Sequence, residues 1–314
     1  MRRPLRRWKI PLPREISRAA KKKRVIRRIL IPTFAAVGLF FVVVLFLSLV
    51  ISSFKGGDGA LFADKVGVVD ITGIITESRE INRQINEYAE RDDVKAIILR
   101  IDSPGGGVGP SQEIYREVMK VKAEKKIVAS MGSIAASGGY YIASATHKII
   151  ANPGTITGSI GVIIEFANVE ELLSKVGFKG FVVKSGQFKD IGSPLREMSG
   201  EERRLVQGVV DDLHRQFVGA VAEGRGMESA VVSEIADGRF FSGSRSVELG
   251  LVDEIGNFSD AVDLAASLAG MDEKPHVIYP EKRGSGFWDI ILENSMRTIF
   301  NDLVPRMKAM YLFS

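Results

Sequence analysis

Residues 126–145, KIVASMGSIAASGGYYIASA, contain an apolar run that continues directly into a segment of small residues. A short, uninterrupted apolar run is typical of a strand buried on both faces, because a half-covered strand would alternate apolar and polar residues. The small residues on either side of Ser137 allow the chain to turn tightly and begin a helix. This stretch therefore predicts a buried strand followed at once by a helix over residues 138–145.

The same alternation continues on both sides of this unit. Further strands are predicted from apolar runs at residues 66–71, 96–101, 148–151 and 160–165. Helices are predicted from apolar residues at helical spacing at residues 78–92, 110–124, 201–223, 229–236, 244–249 and 259–268. Strands that alternate with helices predict an α/β domain with a largely parallel sheet.

The first 54 residues combine a basic segment with a long uncharged one. Residues 1–28 contain 13 Lys and Arg and one acid, whereas the 26 residues from Ile29 to Phe54 contain no charged side chain. A helix of that length spans a bilayer, and flanking basic residues stay in the cytoplasm. The pattern predicts a transmembrane anchor with everything after Lys55 outside the cytoplasm. A cleaved signal peptide is the alternative, but its apolar region normally spans only about 7–15 residues.

The net charge of +5 is unevenly distributed. Thirteen cations and one acid leave +12 on residues 1–28, so the rest of the chain sums to −7. The high isoelectric point therefore reflects the basic tail, which orients the chain in the membrane and attracts lipid headgroups. No nucleic-acid partner is expected. The chain has no cysteine, which excludes a Cys nucleophile, a thiolate zinc site and disulfides.

These features divide the chain into five segments. They are a basic cytoplasmic tail at 1–28, the anchor at 29–54, a linker at 55–64, the α/β domain at 65–272, and a C-terminal strand and apolar helix at 273–314. The last helix is expected to pack on the domain or on a neighbouring subunit. The alternative is that it lies on the membrane surface.

A glycine-rich segment, residues 102–109 (DSPGGGVG), follows a predicted buried strand. It does not fit the G-x-G-x-x-G pattern and no G-K-[ST] follows it, which excludes a P-loop. Glycines at such a place bring backbone N–H groups close to whatever occupies the cleft. Donors of this kind could stabilise an oxyanion.

Ser137 stands where the predicted strand passes into the helix. The N-terminus of a helix carries partial positive charge that favours an anionic intermediate, so Ser137 is a candidate nucleophile. The arrangement is similar in logic to a nucleophile elbow, although G-x-S-x-G is absent. The alternative is that Ser137 is only a helix N-cap, and the motif alone does not exclude it.

A serine nucleophile needs a base. None of the three histidines is well placed, and each is interpreted as a structural or surface residue: His147, His214 and His276. Lysine is the remaining candidate, since Lys189 has apolar and small neighbours and burial among such groups would favour its neutral form. The alternative is a solvated surface charge. Asp102 and Asp190 are assigned structural roles, because a carboxylate would keep a nearby lysine protonated.

Four segments lie in order along the domain: DSPGGG at 102–107, SIAASGGYY at 133–141, TGSIGV at 157–162 and FKDIGSP at 188–194. Together they resemble the signal peptide peptidase A family, serine peptidases of the wider Clp protease/crotonase-like superfamily. One anchor followed by a single domain resembles the half-length form of that family. The resemblance implies a superhelix of repeated β-β-α units behind an N-terminal transmembrane helix.

The resemblance also implies the roles of five residues. Ser137 corresponds to the nucleophile and Lys189 to the general base. Ser159 occupies the place of a hydroxyl that orients the lysine amine, and the N–H groups of Gly106 and Gly138 match the oxyanion hole. This mechanism requires no metal ion or other cofactor.

Substrates, partners and location follow from the same resemblance. Family members hydrolyse leftover signal peptides and other hydrophobic peptides in or near the membrane. Half-length members assemble into homo-oligomeric rings in which adjacent subunits supply Ser and Lys to one site. With the predicted anchor, this implies a bacterial inner-membrane protein with a periplasmic or extracytoplasmic catalytic domain. The rival hypotheses are a crotonase-like enzyme or acyl-CoA-binding module, and a catalytically idle membrane scaffold.

Overall fold

The computed structural model describes residues 37–48 and 64–280. Residues 37–48 form a helix with exposed side chains. Within these two ranges, no helix combines the length and the apolar character needed to cross a membrane. The predictions for the basic tail, the rest of the anchor, most of the linker and the apolar C-terminal helix fall on residues outside the described ranges.

Within residues 64–280, the strands form one mostly parallel sheet. They are β1 (Lys65–Ile75), β2 (Val94–Gly106), β3 (Lys126–Ala136), β4 (Lys148–Ala151), β5 (Ile156–Gly158), β6 (Phe240–Ser242), β7 (Glu254–Ile255) and β8 (His276–Ile278). Their order is β6-β5-β3-β2-β1-β8, with β4 paired to both β3 and β7. The pairs are parallel except for β5 with β6. The predicted largely parallel sheet is confirmed.

Helices of the same range pack on both faces of this sheet. They are α1 (Arg79–Ala89), α2 (Val108–Val121), α3 (Gly138–Ser144), α4 (Glu170–Lys175), α5 (Gly200–Arg225), α6 (Ser229–Glu234), α7 (Gly243–Glu248) and α8 (Phe258–Leu268). On β2, Ile97 and Leu99 belong to the core shared with α1, α2, α3 and α5, whereas Ile98 belongs to a second core with α8. All three side chains are fully buried. Coverage on both faces explains why the strand is apolar at successive positions.

The parallel order of β2 and β3 determines where the glycine-rich segment and Ser137 meet. Near the carboxyl ends of these strands, Ser103 on β2 pairs with Ala135 on β3. Helices α2 and α3 leave the sheet from this same edge. Two segments more than thirty residues apart in sequence therefore come together, as is usual at the carboxyl edge of a parallel sheet.

Two predicted features differ from the structure. The prediction of a strand over residues 160–165 was wrong. The strand in this part of the chain is β5, which ends at Gly158. Gly158 and Ser159 both have positive φ, 79° and 50°, which breaks the extended backbone before the apolar residues that follow. The apolar residues whose helical spacing predicted the helix at 201–223 are buried only in the C-terminal half of α5: Phe217 is buried, whereas Leu205 is exposed.

Candidate active site

Ser137 occupies the single residue between β3 and α3, with φ 52° and ψ −119°. Its N–H donates to the Gly158 carbonyl at 2.9 Å, and its own carbonyl accepts from the Tyr141 N–H at 2.8 Å. Within the described part of the chain, the Ser137 side chain makes no capping hydrogen bond. Ser137 therefore occupies the N-cap position of α3, but its hydroxyl does not cap the helix, so capping does not account for a serine here.

This sharp turn depends on a close approach between the end of β2 and the start of α3. A Cβ placed on Gly105 would lie 2.9 Å from both the Ser137 Cβ and the Gly138 nitrogen. A Cβ on Gly138 would lie 2.5 Å from the Ser111 Oγ and 3.3 Å from the Gly106 nitrogen. Side chains at these two glycines would force the segments apart, so glycine allows the backbone of residues 105–106 to lie against Ser137.

A cavity of about 390 Å³ opens beside Ser137. Gly106, Gly138 and Ser159 line it together with Ser137. As the first residue of α3, Gly138 has an N–H with no carbonyl acceptor inside the helix, and the partial charge of the helix N-terminus favours an anion there. The geometry thus brings a free hydroxyl, two glycine backbones and a second hydroxyl to one cavity, which suits stabilisation of an oxyanion formed at Ser137.

Ser159 reaches this cavity through the pairing of β5 with β6. Its N–H donates to the Arg239 carbonyl at 2.9 Å, while the preceding residue, Gly158, accepts from the Ser137 N–H. Through these two backbone hydrogen bonds, Ser159 is joined to the residue just before β6 and Gly158 is joined to the turn at Ser137. Among the described residues the Ser159 hydroxyl has no hydrogen-bond partner, so it is available to a group that enters the cavity.

Lys189 lies elsewhere in the same chain. It belongs to a turn within residues 162–198, the segment between β5 and α5, which is called the arm below. Its N–H donates to the Gly186 carbonyl at 3.1 Å, its side chain is exposed, and it does not line the Ser137 cavity. One chain therefore brings together Ser137, Ser159, Gly106 and Gly138, but not Lys189.

Comparisons with known proteins relate this site to a family. Sequence models of Peptidase family S49 and of Clp protease match residues 119–272 and 66–155. The chain is 47% identical over 209 residues to slr0021 of Synechocystis sp., provisionally named a protease, covering 66% of this chain and 76% of that one. It is 39% identical over 213 residues to an Enterococcus faecium protein provisionally named signal peptide peptidase SppA, covering 63% and 62% respectively. The chain belongs to the signal peptide peptidase A family.

Another relative gives the chemical class of this signal peptide peptidase A family member. The chloroplastic serine protease SPPA of Arabidopsis thaliana is 32% identical over 206 residues, covering 65% of this chain and 30% of that protein. The family is one of serine peptidases, and this chain is of that class. The α/β sheet is consistent with the Clp protease-like superfamily expected from the sequence. The chain spans about three quarters of the Synechocystis relative and less than two thirds of the Enterococcus one.

None of the three histidines of this S49 peptidase lines the Ser137 cavity. The His147 Nδ1 accepts from the Ile127 N–H at 3.1 Å, and burial lowers the pKa of His147. The His214 Nε2 lies 2.7 Å from the Ala236 carbonyl oxygen, and His276 begins the edge strand β8.

Both aspartates make contacts within the fold, in line with the structural roles expected of them. The Asp102 carboxylate accepts from the Ile134 N–H at 3.1 Å and so ties the glycine-rich segment to β3. Asp190 forms ion pairs with Lys184 and Arg196.

Two residues that line the peptidase cavity were not predicted from sequence. Ser111, in the first turn of α2, is buried and donates its hydroxyl to the Gly107 carbonyl at 2.9 Å. Asp237, between α6 and β6, pairs with Arg239 at the cavity. The position of Ser111 directly after the glycine-rich segment could have indicated it. Asp237 lies 100 residues after Ser137 and carries no local signal.

The positive φ of Ser137 should have a measurable energetic cost. We expect Ser137→Gly to have a free energy of unfolding about 1 kcal/mol higher than Ser137→Ala, because only glycine adopts this backbone conformation without strain. Denaturant unfolding of the two full-length variants in detergent measures the difference. Ser133 provides the control, since it lies in β3 without a positive φ and glycine should there be the less stable substitution. Equal stability of the two Ser137 variants would contradict the predicted strain.

Proposed function

We propose that this chain is a membrane-anchored endopeptidase that hydrolyses residual signal peptides and other hydrophobic peptides through a Ser137–Lys189 dyad. The observation that carries the proposal is Ser137 at the start of α3: its backbone is strained, and its hydroxyl makes no hydrogen bond to the described residues beside the glycine backbone of residues 105–106. A hydroxyl held at a helix N-terminus without a structural hydrogen bond is suited to nucleophilic attack.

The proposed reaction has two stages. Neutral Lys189 removes the Ser137 proton as the oxygen attacks the peptide carbonyl, and the N–H groups of Gly106 and Gly138 hold the oxyanion. The lysine then gives that proton to the leaving amine as the peptide C–N bond breaks. Water attacks the acyl-serine ester with the same lysine as base, which releases the acid and restores the Ser137 hydroxyl.

We infer that Lys189 enters the Ser137 cavity of a neighbouring copy of this chain. Its exposed side chain and its absence from the cavity of its own chain support this geometry. Helix α4 of the arm buries no residue, and apolar side chains along the arm are exposed, Phe181 and Val183 each to 90%. Exposed apolar surface of this kind is typical of a contact between subunits. In the homo-oligomeric ring that follows, the Ser159 hydroxyl would orient the incoming amine.

The membrane anchor and the choice of substrate rest on the sequence and on one relative's name. The uncharged run from Ile29 to Phe54 includes the described helix at 37–48, whose apolar side chains are exposed. We place the basic tail in the cytoplasm and the α/β domain outside it, at a bacterial inner membrane. The Enterococcus relative is named a signal peptide peptidase, and an apolar helix released in the membrane is the corresponding substrate class. We also propose that the α/β domain is arranged as the superhelix of repeated β-β-α units that the family resemblance implies.

Covalent labelling tests the proposed nucleophile directly. The full-length chain in detergent is treated with a fluorophosphonate, and the adduct is located by mass spectrometry of the digested protein. We expect one adduct, on Ser137, and none in Ser137→Ala. A crotonase-like acyl-CoA module or an idle scaffold would give no adduct at Ser137, and that outcome would reject the peptidase mechanism.

A further inference from the structure

Arg196 binds the residue that directly follows Lys189. Its Nε and Nη2 donate to the two carboxylate oxygens of Asp190, each at 2.9 Å, and Nη2 also donates to the Asp190 main-chain carbonyl at 3.3 Å. A bidentate guanidinium–carboxylate pair fixes orientation as well as distance. The lysine turn is therefore bound through both a side chain and the main chain at the position next to the lysine.

The same guanidinium is attached to the start of α5. Its Nη1 donates to the Glu202 Oε2 at 2.8 Å, and Nη2 donates to the Glu202 Oε1. Glu202 is a capping residue of α5: its carboxylate accepts from the Ser199 N–H at 2.8 Å, and its own N–H donates to the Ser199 Oγ at 3.2 Å. Glu202 is only 4% exposed. Arg196 thus joins the turn that contains Lys189 to Glu202, the buried capping residue in the first turn of a long helix.

The charges in this link are stable. Hydrogen bonds from Arg196, and next from Lys184, hold the pKa of Asp190 well below its ordinary value. Hydrogen bonds from Arg196 and from the Ser199 N–H lower the pKa of Glu202 to about 2. Both carboxylates therefore remain ionised at neutral and alkaline pH, and the link between the turn and the helix persists there.

Helix α5 connects this link to the Ser137 cavity. Its 26 residues span about 39 Å at 1.5 Å per residue. Phe217, fifteen residues after Glu202 and about 22 Å further along the axis, lines the cavity and packs on Tyr141 with 4.9 Å between ring centroids. Leu213 also lines the cavity, eleven residues after Glu202, so Arg196 holds the lysine turn about 16 Å or more along the α5 axis from the residues of that helix that reach the cavity.

We infer that Arg196 is a positioning residue, which holds the Lys189 turn in the orientation required to deliver the amine to a serine site. The inference rests on the proposed Ser137–Lys189 mechanism. An exposed turn with a long flexible side chain occupies many conformations, and a base contributes only when its nitrogen is within hydrogen-bond reach of the serine hydroxyl. Binding Asp190 and Glu202 through one planar guanidinium restricts those conformations, and a lysine in its place would not supply the same fork of donors.

Steady-state kinetics of the full-length protein in detergent test this role. On a hydrophobic peptide, Arg196→Met should lower kcat at least about tenfold with KM changed less than about twofold, because a misplaced base impairs chemistry rather than binding. Arg196→Lys should lose nearly as much. Arg215→Met is the matched control, since Arg215 lies on the exposed face of α5 and, within residues 64–280, forms its ion pair with Asp212. A kcat within twofold of wild type for Arg196→Met, or a change confined to KM, would overturn the inference.

Mixed assemblies separate positioning of the lysine from a general loss of structure. The first mixture pairs Ser137→Ala/Arg196→Met chains with Lys189→Ala chains, so that Arg196 is missing from the chain that supplies the lysine. The second pairs Ser137→Ala chains with Lys189→Ala/Arg196→Met chains, so that Arg196 is missing from the chain that supplies the serine. Both contain the same number of altered arginines. We expect the first to be at least about tenfold less active than the second.

Equal activity of the two mixtures would overturn the inference. A reference mixture of Ser137→Ala and Lys189→Ala chains distinguishes this failure from failure of the shared site. Lack of activity in that reference would contradict the proposed sharing between subunits. In that case the role of Arg196 would be decided by the kcat of the protein in which every chain carries Arg196→Met.

Discussion

Replacing Ser137 by alanine should lower kcat/KM for a hydrophobic peptide by about 10⁴-fold or more, the loss typical when a serine nucleophile is removed. Within residues 64–280 the Ser137 hydroxyl makes no capping hydrogen bond, so its removal should leave the fold intact. Without it, no acyl-enzyme can form, and the glycine donors have no covalent oxyanion to stabilise. Fluorogenic peptide hydrolysis by the full-length variant, with its thermal unfolding measured alongside, checks both parts of this result.

Ser133→Ala is the matched control for this substitution. Ser133 lies on the same strand, four residues before Ser137, and its side chain is exposed. We expect this variant to retain wild-type activity within about twofold, since surface substitutions away from the site have small effects. Substantial peptidase activity in Ser137→Ala, with Ser133→Ala unchanged, would exclude Ser137 as the nucleophile.

Lys189→Ala should be equally inactive, yet it should regain activity when mixed with Ser137→Ala chains. Each shared site takes its serine from one chain and its lysine from the next, as in a head-to-tail ring. In an equal and random mixture, about a quarter of the sites would receive both intact residues. Peptide hydrolysis after dissociation and reassembly of the two variants measures this recovery.

Lys179 provides the control for the lysine substitution. It is exposed on the same arm, and we expect Lys179→Met to remain active. If Lys189→Ala retained activity, the lysine would not be the base. If instead each variant were inactive alone and verified mixed assemblies were inactive as well, the site would not be shared between chains.

Local sequence patterns predicted the strands that are buried on both faces and the helices whose apolar residues recur at helical spacing. The run from Lys126 to Met131 lies in β3, and the residues at 148–151 form β4 within the predicted bounds. Such patterns succeed because burial of apolar side chains dominates the choice of local structure. The pattern over residues 160–165 was misleading, since positive φ at Gly158 and Ser159 takes the chain out of the sheet although its residues remain apolar.

The sequence predicted some residues of the candidate site and missed others. The motif around Ser137 indicated a hydroxyl at a turn, but an N-cap and a free nucleophile have the same local sequence. The contact of Gly105 with the Ser137 turn and the positive φ of Ser137 distinguish them. Ser111 reaches the cavity from α2 and stands close after the glycine-rich segment, whereas Asp237 reaches it from the segment before β6 and carries no local signal.

By itself, the sequence determined the α/β class, the largely parallel sheet and the glycine-rich segments after two buried strands, because these follow from hydrophobic periodicity and from the conformational freedom of glycine. Only the tertiary structure decided that the Ser137 hydroxyl lies beside the backbone of residues 105–106 without a hydrogen bond to the described residues. The same is true of the bonds that Arg196 makes to Asp190 and to Glu202 at the start of α5. Those arrangements join residues distant in sequence. They depend on the order of strands in the sheet and on how α5 packs against α3, which no local pattern specifies.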